Sequence, residues 1–365
     1  MSKAVVWVLA IALLVAAAAL GGRAYATRVM SSRAVSPKPL GTTTPSAVDL
    51  PFSRVPIETG DRTLLAWWVR AQADSGKTAP AVLFLHGNRS SISDYVALQK
   101  FLYRQGVSSL VFDYSGFGAS GGTPSLRNAI DDASAVARVF ADSAGPTTRK
   151  VAMGAAMGST ILLQAIDSVQ SHVNGVVIEG VDASVKESAV RLGQLPKLLA
   201  PLVVEPGDNV AAASRVRVPL LAVHSYSDAR VPITDAQRVV AAVPGQSSLV
   251  RHWRKGHSAL LSSTKSCDWA PVLAFVRTGA LPAAKLDTTD ACKVEEAQRI
   301  AAQKIADSLK AVAARQAAQK AAAARASAAK ASTKTTSAKT KSGSAKVPTK
   351  SAGTKRPGTP TKRPE

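Results

Sequence analysis

The sequence predicts an α/β fold, a mostly parallel central sheet flanked by helices with a small helical lid, and three observations predict it. Short apolar runs at 109–112, 150–153, 175–178, 219–223 and 248–251 alternate with helical periodicity near 92–105, 125–141, 158–170, 234–242 and 269–278. That β-α-β order implies parallel neighbours, because a parallel connection needs a crossover long enough to hold a helix. The run Ala81–Leu85 is apolar at every position, the pattern of a strand covered on both faces. Between about 183 and 213 the rhythm fails, and apolar helical pieces around 195–204 are broken by Pro196, Pro201 and Pro206, which reads as an inserted lid.

Residues 1–26 read as a signal peptide or a membrane anchor. Ala4–Leu20 is uninterrupted apolar and small sequence, and Ala24-Tyr25-Ala26 stands where a signal peptidase would read an A-x-A site. Arg23, Arg28, Arg33 and Lys38 outnumber Lys3, which by the positive-inside tendency would hold the body in the cytoplasm. Cys267 and Cys292 point the other way. They bracket one helix and could close a loop in an oxidising compartment, two unpaired structural cysteines being the alternative. The expectation is a membrane-associated or exported protein, with an envelope compartment favoured over the cytoplasmic face.

Residues 27–51 are rich in Ser, Thr and Pro and read as a linker. The body, residues 52–280, opens with a hairpin, 55–57 and 64–69, around Thr59-Gly60-Asp61. Residues 281–331 read as an Ala- and Lys-rich helical extension. Arg315, Lys320, Arg325 and Lys330 recur every five residues, a step of about 140° that spreads charge around a helix. Residues 332–365 mix Ser, Thr, Gly and Pro with Lys and read as a disordered basic tail. The net charge of +22 is concentrated here: residues 293–365 hold 17 Lys or Arg against 4 acids, so polyanions are the partners this segment would attract. It has no aromatic residue, which argues against stacking on single-stranded bases. With 46% hydrophobic residues, the chain as a whole is not a disordered one.

Acyl transfer by an activated hydroxyl needs a nucleophile on a sharp strand-to-helix turn, a base oriented by an acid, and N–H donors facing the oxyanion. Gly154-Ala155-Ala156-Met157-Gly158 follows the strand Val151–Met153 and precedes a helix opening at Ser159. This is the G-x-S-x-G elbow with alanine at its centre, and both flanking glycines are kept. Further motifs occur in order: His86-Gly87-Asn88, the stretch from Asp113 to Ser120 (DYSGFGAS), the stretch from His224 to Pro232 (HSYSDARVP), and Gly256-His257-Ser258.

Over about residues 52–280 the chain resembles the α/β-hydrolase superfamily, in its serine aminopeptidase-like and monoacylglycerol-lipase-like branch, and an α/β-hydrolase fold is implied. The resemblance implies Asp228 as acid, His257 as base, and the N–H groups of Asn88 and Met157 as oxyanion hole. At the nucleophile position it meets Ala156, whose methyl group cannot attack a carbonyl. Ser159 is the nearest hydroxyl, about one turn past the elbow tip. Asp182 is the alternative acid. Ser115 and Ser225 replace an arginine and a glycine usual in relatives. His86, His172, His224 and His252 have no ligand-like spacing with Cys or acids, so no metal and no cofactor is expected.

Three functions follow. The first is a pseudoenzyme whose pocket still binds a small acyl or ester ligand or a partner. The second is an active hydrolase in which His257 and Asp228 activate water or another hydroxyl, with an introduced Ala156 in an ordinary serine hydrolase as a variant of that reading. The third is a scaffold whose basic tail binds polyanions.

Overall fold

The computed structural model describes residues 2–72, 78–203, 206–252, 254, 256–283 and 289–338. The chain divides into two units, Met1–Glu295 and Glu296–Glu365. In the first, eight strands form one sheet: β1 (Ser53–Thr59), β2 (Arg62–Val69), β3 (Ala81–Leu85), β4 (Ser108–Phe112), β5 (Lys150–Ala155), β6 (Gly175–Glu179), β7 (Leu220–Ser225) and β8 (Ser247–His252). Their order is β1-β2-β4-β3-β5-β6-β7-β8. β1 and β2 pair antiparallel in a hairpin, β2 runs antiparallel to β4, and every other pair is parallel.

The helices are α1 (Lys3–Ala34), α2 (Val96–Arg104), α3 (Leu126–Ala144), α4 (Met157–Gln164), α5 (Ile166–Val169), α6 (Val185–Arg191), α7 (Asn209–Ala213), α8 (Ile233–Ala241), α9 (Ser266–Thr278) and α10 (Thr289–Ala338). Successive side chains of a strand face opposite ways, so the apolar β3 feeds two cores. Ala81, Leu83 and Leu85 join one cluster with Val136 and Phe140 of α3, whereas Val82 and Phe84 join a second with Phe101 of α2 and Trp269 and Phe275 of α9. The lid region 183–213 consists of α6, a 3-10 turn at Lys197–Leu202 that contains Pro201, and α7.

Two boundaries differ from the sequence reading. α1 continues past residue 26 to Ala34, and the segment expected as a linker is a strap laid on the body. Val35 and Leu50 are buried, and Pro45–Val48 forms a 3-10 turn. Its main chain carries the bonding. Ser36 N–H donates to Asn88 Oδ1 at 2.6 Å, Arg89 N–H to Ser36 O at 3.1 Å, Gly118 N–H to Lys38 O at 2.9 Å and Gly41 N–H to Ser93 Oγ at 2.9 Å. Composition identifies loops by side chains, and here backbone groups present in any sequence do the docking. At the other end α10 continues past 331 to Ala338. The basic tail from 339 to 365 lies outside the described residues.

Cys267, at the start of α9, and Cys292, in the first turn of α10, form a disulfide with Cα atoms 5.3 Å apart. Closing a loop of 25 residues contributes roughly 3 kcal/mol through the unfolded chain's entropy.

Candidate active site

The parallel strands end together at one edge, where loops collect side chains from distant parts of the chain. At its centre β5 stops at Ala155 and α4 starts at Met157, leaving Ala156 between them at φ 51°, ψ −115°. Positive φ in a residue with a Cβ is a strained conformation that persists where the surroundings over-determine it. The surroundings are visible: Ala156 N–H donates to Glu179 O at 2.8 Å, and Ala156 O accepts from Ser159 N–H at 3.0 Å. The flanking glycines are steric necessities. A Cβ on Gly154 would stand 2.4 Å from Gly158 O, and one on Gly158 would stand 2.0 Å from Leu85 O.

Ser159 takes no place in the cavity. Its buried Oγ donates to Gly154 O at 2.7 Å or Glu179 O at 2.9 Å, and accepts from Glu179 N–H at 3.0 Å. The hydroxyl ties α4 to β5 and β6 and faces away from the elbow tip.

The loops after β7 and β8 bring Asp228 and His257 together, with His257 Nδ1 2.8 Å from Asp228 Oδ2. Asp228 Oδ1 accepts from the N–H groups of Arg230 at 2.8 Å and Val231 at 3.0 Å. Burial alone would raise this carboxyl, but the hydrogen bonds from His257, Val231 and Arg230 outweigh it and hold it below the usual carboxylate range. His224 Nε2 lies 2.9 Å from Val231 O and fixes the same loop. Asp182 serves a different contact: it stands 3.3 Å from Arg191 Nη2, which also reaches Asp235 at 3.1 Å. Burial raises the Asp182 carboxyl, and Ser188 and Arg191 only partly offset that.

A cavity of about 290 Å³ joins these parts. Its floor is Ala156, Met157 and His257, with Asn88 on one side, and its roof is the lid residues Val185, Ala189 and Leu192. Met157 opens α4, so its N–H has no intrahelical acceptor and suits a developing anion. The loop carrying Asn88 is shaped from behind. His86 Nδ1 lies 2.8 Å from Gly87 O, Tyr114 Oη donates to His86 O at 2.9 Å, and Asp113 Oδ1 accepts from Ile92 N–H at 2.9 Å. Of the two departures from the relatives' pattern, Ser115 donates through N–H and Oγ to Asp132, and Ser225 Oγ donates to Arg254 O.

The sequence reading missed three features. Glu179 ends β6 directly behind the elbow, wholly buried, with Oε1 accepting from Leu260 N–H at 2.8 Å. Burial pushes its carboxyl up to about 8, against the Leu260 hydrogen bond and helped by the charge of Asp228. An acid closing an apolar strand is the one signal that could have flagged it. Arg230, inside the stretch His224 to Pro232 but given no role there, and Thr160 also line the cavity. Cys267, Asp268 and Cys292 group their ligand-type atoms within 4.8 Å of one another, with His252 Nε2 3.4 Å from Asp268, which linear spacing did not suggest. Here the sulfurs are bonded to each other, and Arg254 Nε stands 2.6 Å from Asp268 Oδ2.

Residues 76–205 match the family described as serine aminopeptidase, S33, and residues 202–291 match the family described as TAP-like protein. The uncharacterised protein Rv2307c of Mycobacterium tuberculosis is 31% identical over 196 residues, 53% of this chain and 68% of the relative. An uncharacterised membrane protein of Saccharomyces cerevisiae, YNL320W, is 23% identical over 211 residues, 57% of this chain and 73% of the relative. Among solved structures, the esterase Pf2001 of Pyrococcus furiosus superposes with a TM-score of 0.52 at 22% identity, over 66% of this chain and 98% of that one. That last likeness is one of fold.

Proposed function

The chain belongs to the α/β-hydrolase superfamily, and from that premise we propose that it is a membrane-tethered binding protein of serine-hydrolase ancestry, its pocket kept and its nucleophile lost. One observation carries the reading. Ala156 holds the strained elbow conformation, φ 51°, that in a serine would present a hydroxyl to the base, yet it has only a methyl group to present. His257, Asn88 and Met157 line the cavity with Ala156, and Asp228 bonds His257; in this reading they supply base, oxyanion donors and acid. With the hydroxyl gone, a small acyl or ester ligand would be bound and oriented there without forming an acyl-enzyme. Fold and site geometry are separable from turnover, since the sheet is stabilised by its two apolar cores.

The His257–Asp228 contact of 2.8 Å favours a second, weaker activity. An oriented imidazole can deprotonate water, and sites stripped of triad members keep roughly 10³ to 10⁴ over the uncatalysed rate. α1 is read as an uncleaved anchor: Lys3–Thr27 is long and apolar enough to cross a membrane, and Ala26, at the would-be cleavage point, is buried against the lid.

Intact-mass analysis after fluorophosphonate treatment tests the proposal. The Ala156→Ser variant should gain one adduct and the parent none. An adduct on the parent would reveal another nucleophile and overturn the reading, and an inert serine variant would show that the oxyanion site is no longer formed.

A further inference from the structure

α1 does not stand clear of the body. Its first turns are bare, with Trp7, Leu13, Leu14 and Leu20 all exposed. Its later turns pack on the lid: Ala26 is wholly buried in a cluster with Ala189, Leu195 and Val203, against which Val185, Leu199 and Leu202 pack. A Cβ on Gly22 would stand 3.2 Å from Leu202 Cδ1, so helix and lid approach closely there as well. Two of these residues, Val185 and Ala189, also line the cavity beneath. The foot of α1 and the roof of the pocket are therefore built on the same few side chains.

Length fixes the depth of that junction. The apolar stretch Lys3–Thr27 is 25 residues, about 37 Å of helix, against roughly 30 Å of hydrocarbon in a bilayer. With Lys3 at the far face, the helix leaves the hydrocarbon near Gly22, at the level where it meets the lid. The composition at that level is interfacial: Arg23 and Tyr25 on α1 and Lys197 on the lid are exposed, the residue types that anchor at headgroup depth. Beside them the lid exposes Leu198, 87% accessible, and Leu192, which also lines the cavity. Among the described residues Leu198 belongs to none of the apolar clusters, and its 3-10 turn packs on the end of the helix that is read as the anchor.

We infer that the outer face of the lid, Leu192 and Leu198, docks on the bilayer at the foot of α1, and that the pocket takes its ligand, a membrane amphiphile with an acyl or ester group, directly from that leaflet. The occupant of this face is the lipid surface, because the patch is continuous with the anchor and carries cationic neighbours that suit anionic headgroups. The ligand half of the inference rests on the pocket reading above. The docking half does not.

The test uses full-length protein in vesicles of phosphatidylcholine and phosphatidylglycerol. An environment-sensitive fluorophore is attached to Leu198→Cys, and in a separate sample to Gly245→Cys, an exposed control just before β8 at the opposite edge of the sheet. Doxyl-bearing lipids should quench the probe at 198 and leave the one at 245 unaffected. Equal quenching at both sites, or none at 198, overturns the docking. Protection of position 198 from aqueous reagents without lipid quenching means a protein covers it, and overturns it too. For the ligand, Ala156→Ser is treated with a long-chain fluorophosphonate embedded in its own vesicles and with a short water-soluble one. Adding Leu198→Asp should slow capture of the embedded probe about tenfold, the effect of one leucine leaving lipid, and leave the soluble probe unchanged. Equal capture of the embedded probe with and without Leu198→Asp refutes entry from the leaflet. Failure of both probes on Ala156→Ser sinks the pocket reading and the ligand half with it, while the quenching result still decides the docking.

Discussion

The elbow and the N-terminal strap both rely on main-chain groups held close to other parts of the chain, but by different forces. At the elbow, Gly154 and Gly158 let β5, α4 and the end of β3 approach until no Cβ fits between them, and the strain at Ala156 is held by this packing. Along the strap, residues 36–41 lie on loops 88–94 and 113–120 through single hydrogen bonds, two of them part-buried, each worth about 1 kcal/mol net. The elbow is thus a rigid, all-or-none device, and the strap is a set of separable increments. A site can lose its chemistry, as at Ala156, while the rigid part persists, because that geometry is also the junction of strand, helix and sheet.

That contrast can be broken at its strong end first. Gly158→Ala would place a methyl group 2.0 Å from Leu85 O and 2.8 Å from His86 O, backbone atoms that cannot step aside. We expect a loss of about 3 kcal/mol or more, read in thermal unfolding or as a failure to fold. A variant that melts with the parent would show that the elbow is looser than described.

Glu179 sharpens the same side of the comparison. Its carboxyl, ordinarily near 4.5, is pushed up to about 8 by burial behind the elbow. A folded-state value raised in this way gives stability that is complete below the unfolded value and is lost as pH climbs through the folded one. Glu179→Gln keeps an acceptor for Leu260 N–H and cannot ionise. It should therefore gain on the parent by a few kcal/mol between about pH 5 and 8, in denaturant midpoints taken across that range. Parallel pH curves for the two proteins would mean the carboxyl is solvated.

The smallest effect belongs to the strap. Lys38 Nζ stands 2.6 Å from Asp94 Oδ1, but the side chains are 45% and 35% exposed. Lys38→Ala should cost less than about 0.5 kcal/mol and fade further in salt. A loss comparable to that of Gly158→Ala would erase the distinction between the two regions.

The same difference explains what could be read in advance. The alternation of apolar runs and helical stretches predicted the parallel sheet, because burial on both faces leaves a mark at every position, as in Ala81–Leu85. The elbow was legible because its steric demand falls on two glycines within five residues. The strap was not, since its donors and acceptors are backbone groups bonded across 52 residues of sequence, and Ser36 or Gly41 carries no trace of that. Glu179 was hidden for another reason. Its role follows from wholly buried surroundings contributed by β6 and the segment at Leu260, which no local pattern records. Asp228 and Asp182 each followed a strand in a fitting place, and only geometry puts the 2.8 Å contact to His257 on Asp228.

The most direct test of the central claim is ester turnover by three proteins: the parent, Ala156→Ser, and Ala156→Ser combined with Asp228→Asn. The account predicts that restoring one oxygen raises kcat/KM by about 10³-fold or more, and that removing the Asp228 carboxylate then takes most of it away, a loss on the order of 10⁴ in a comparable triad. A serine variant no faster than the parent, or one indifferent to Asp228, would contradict a site complete except for its nucleophile.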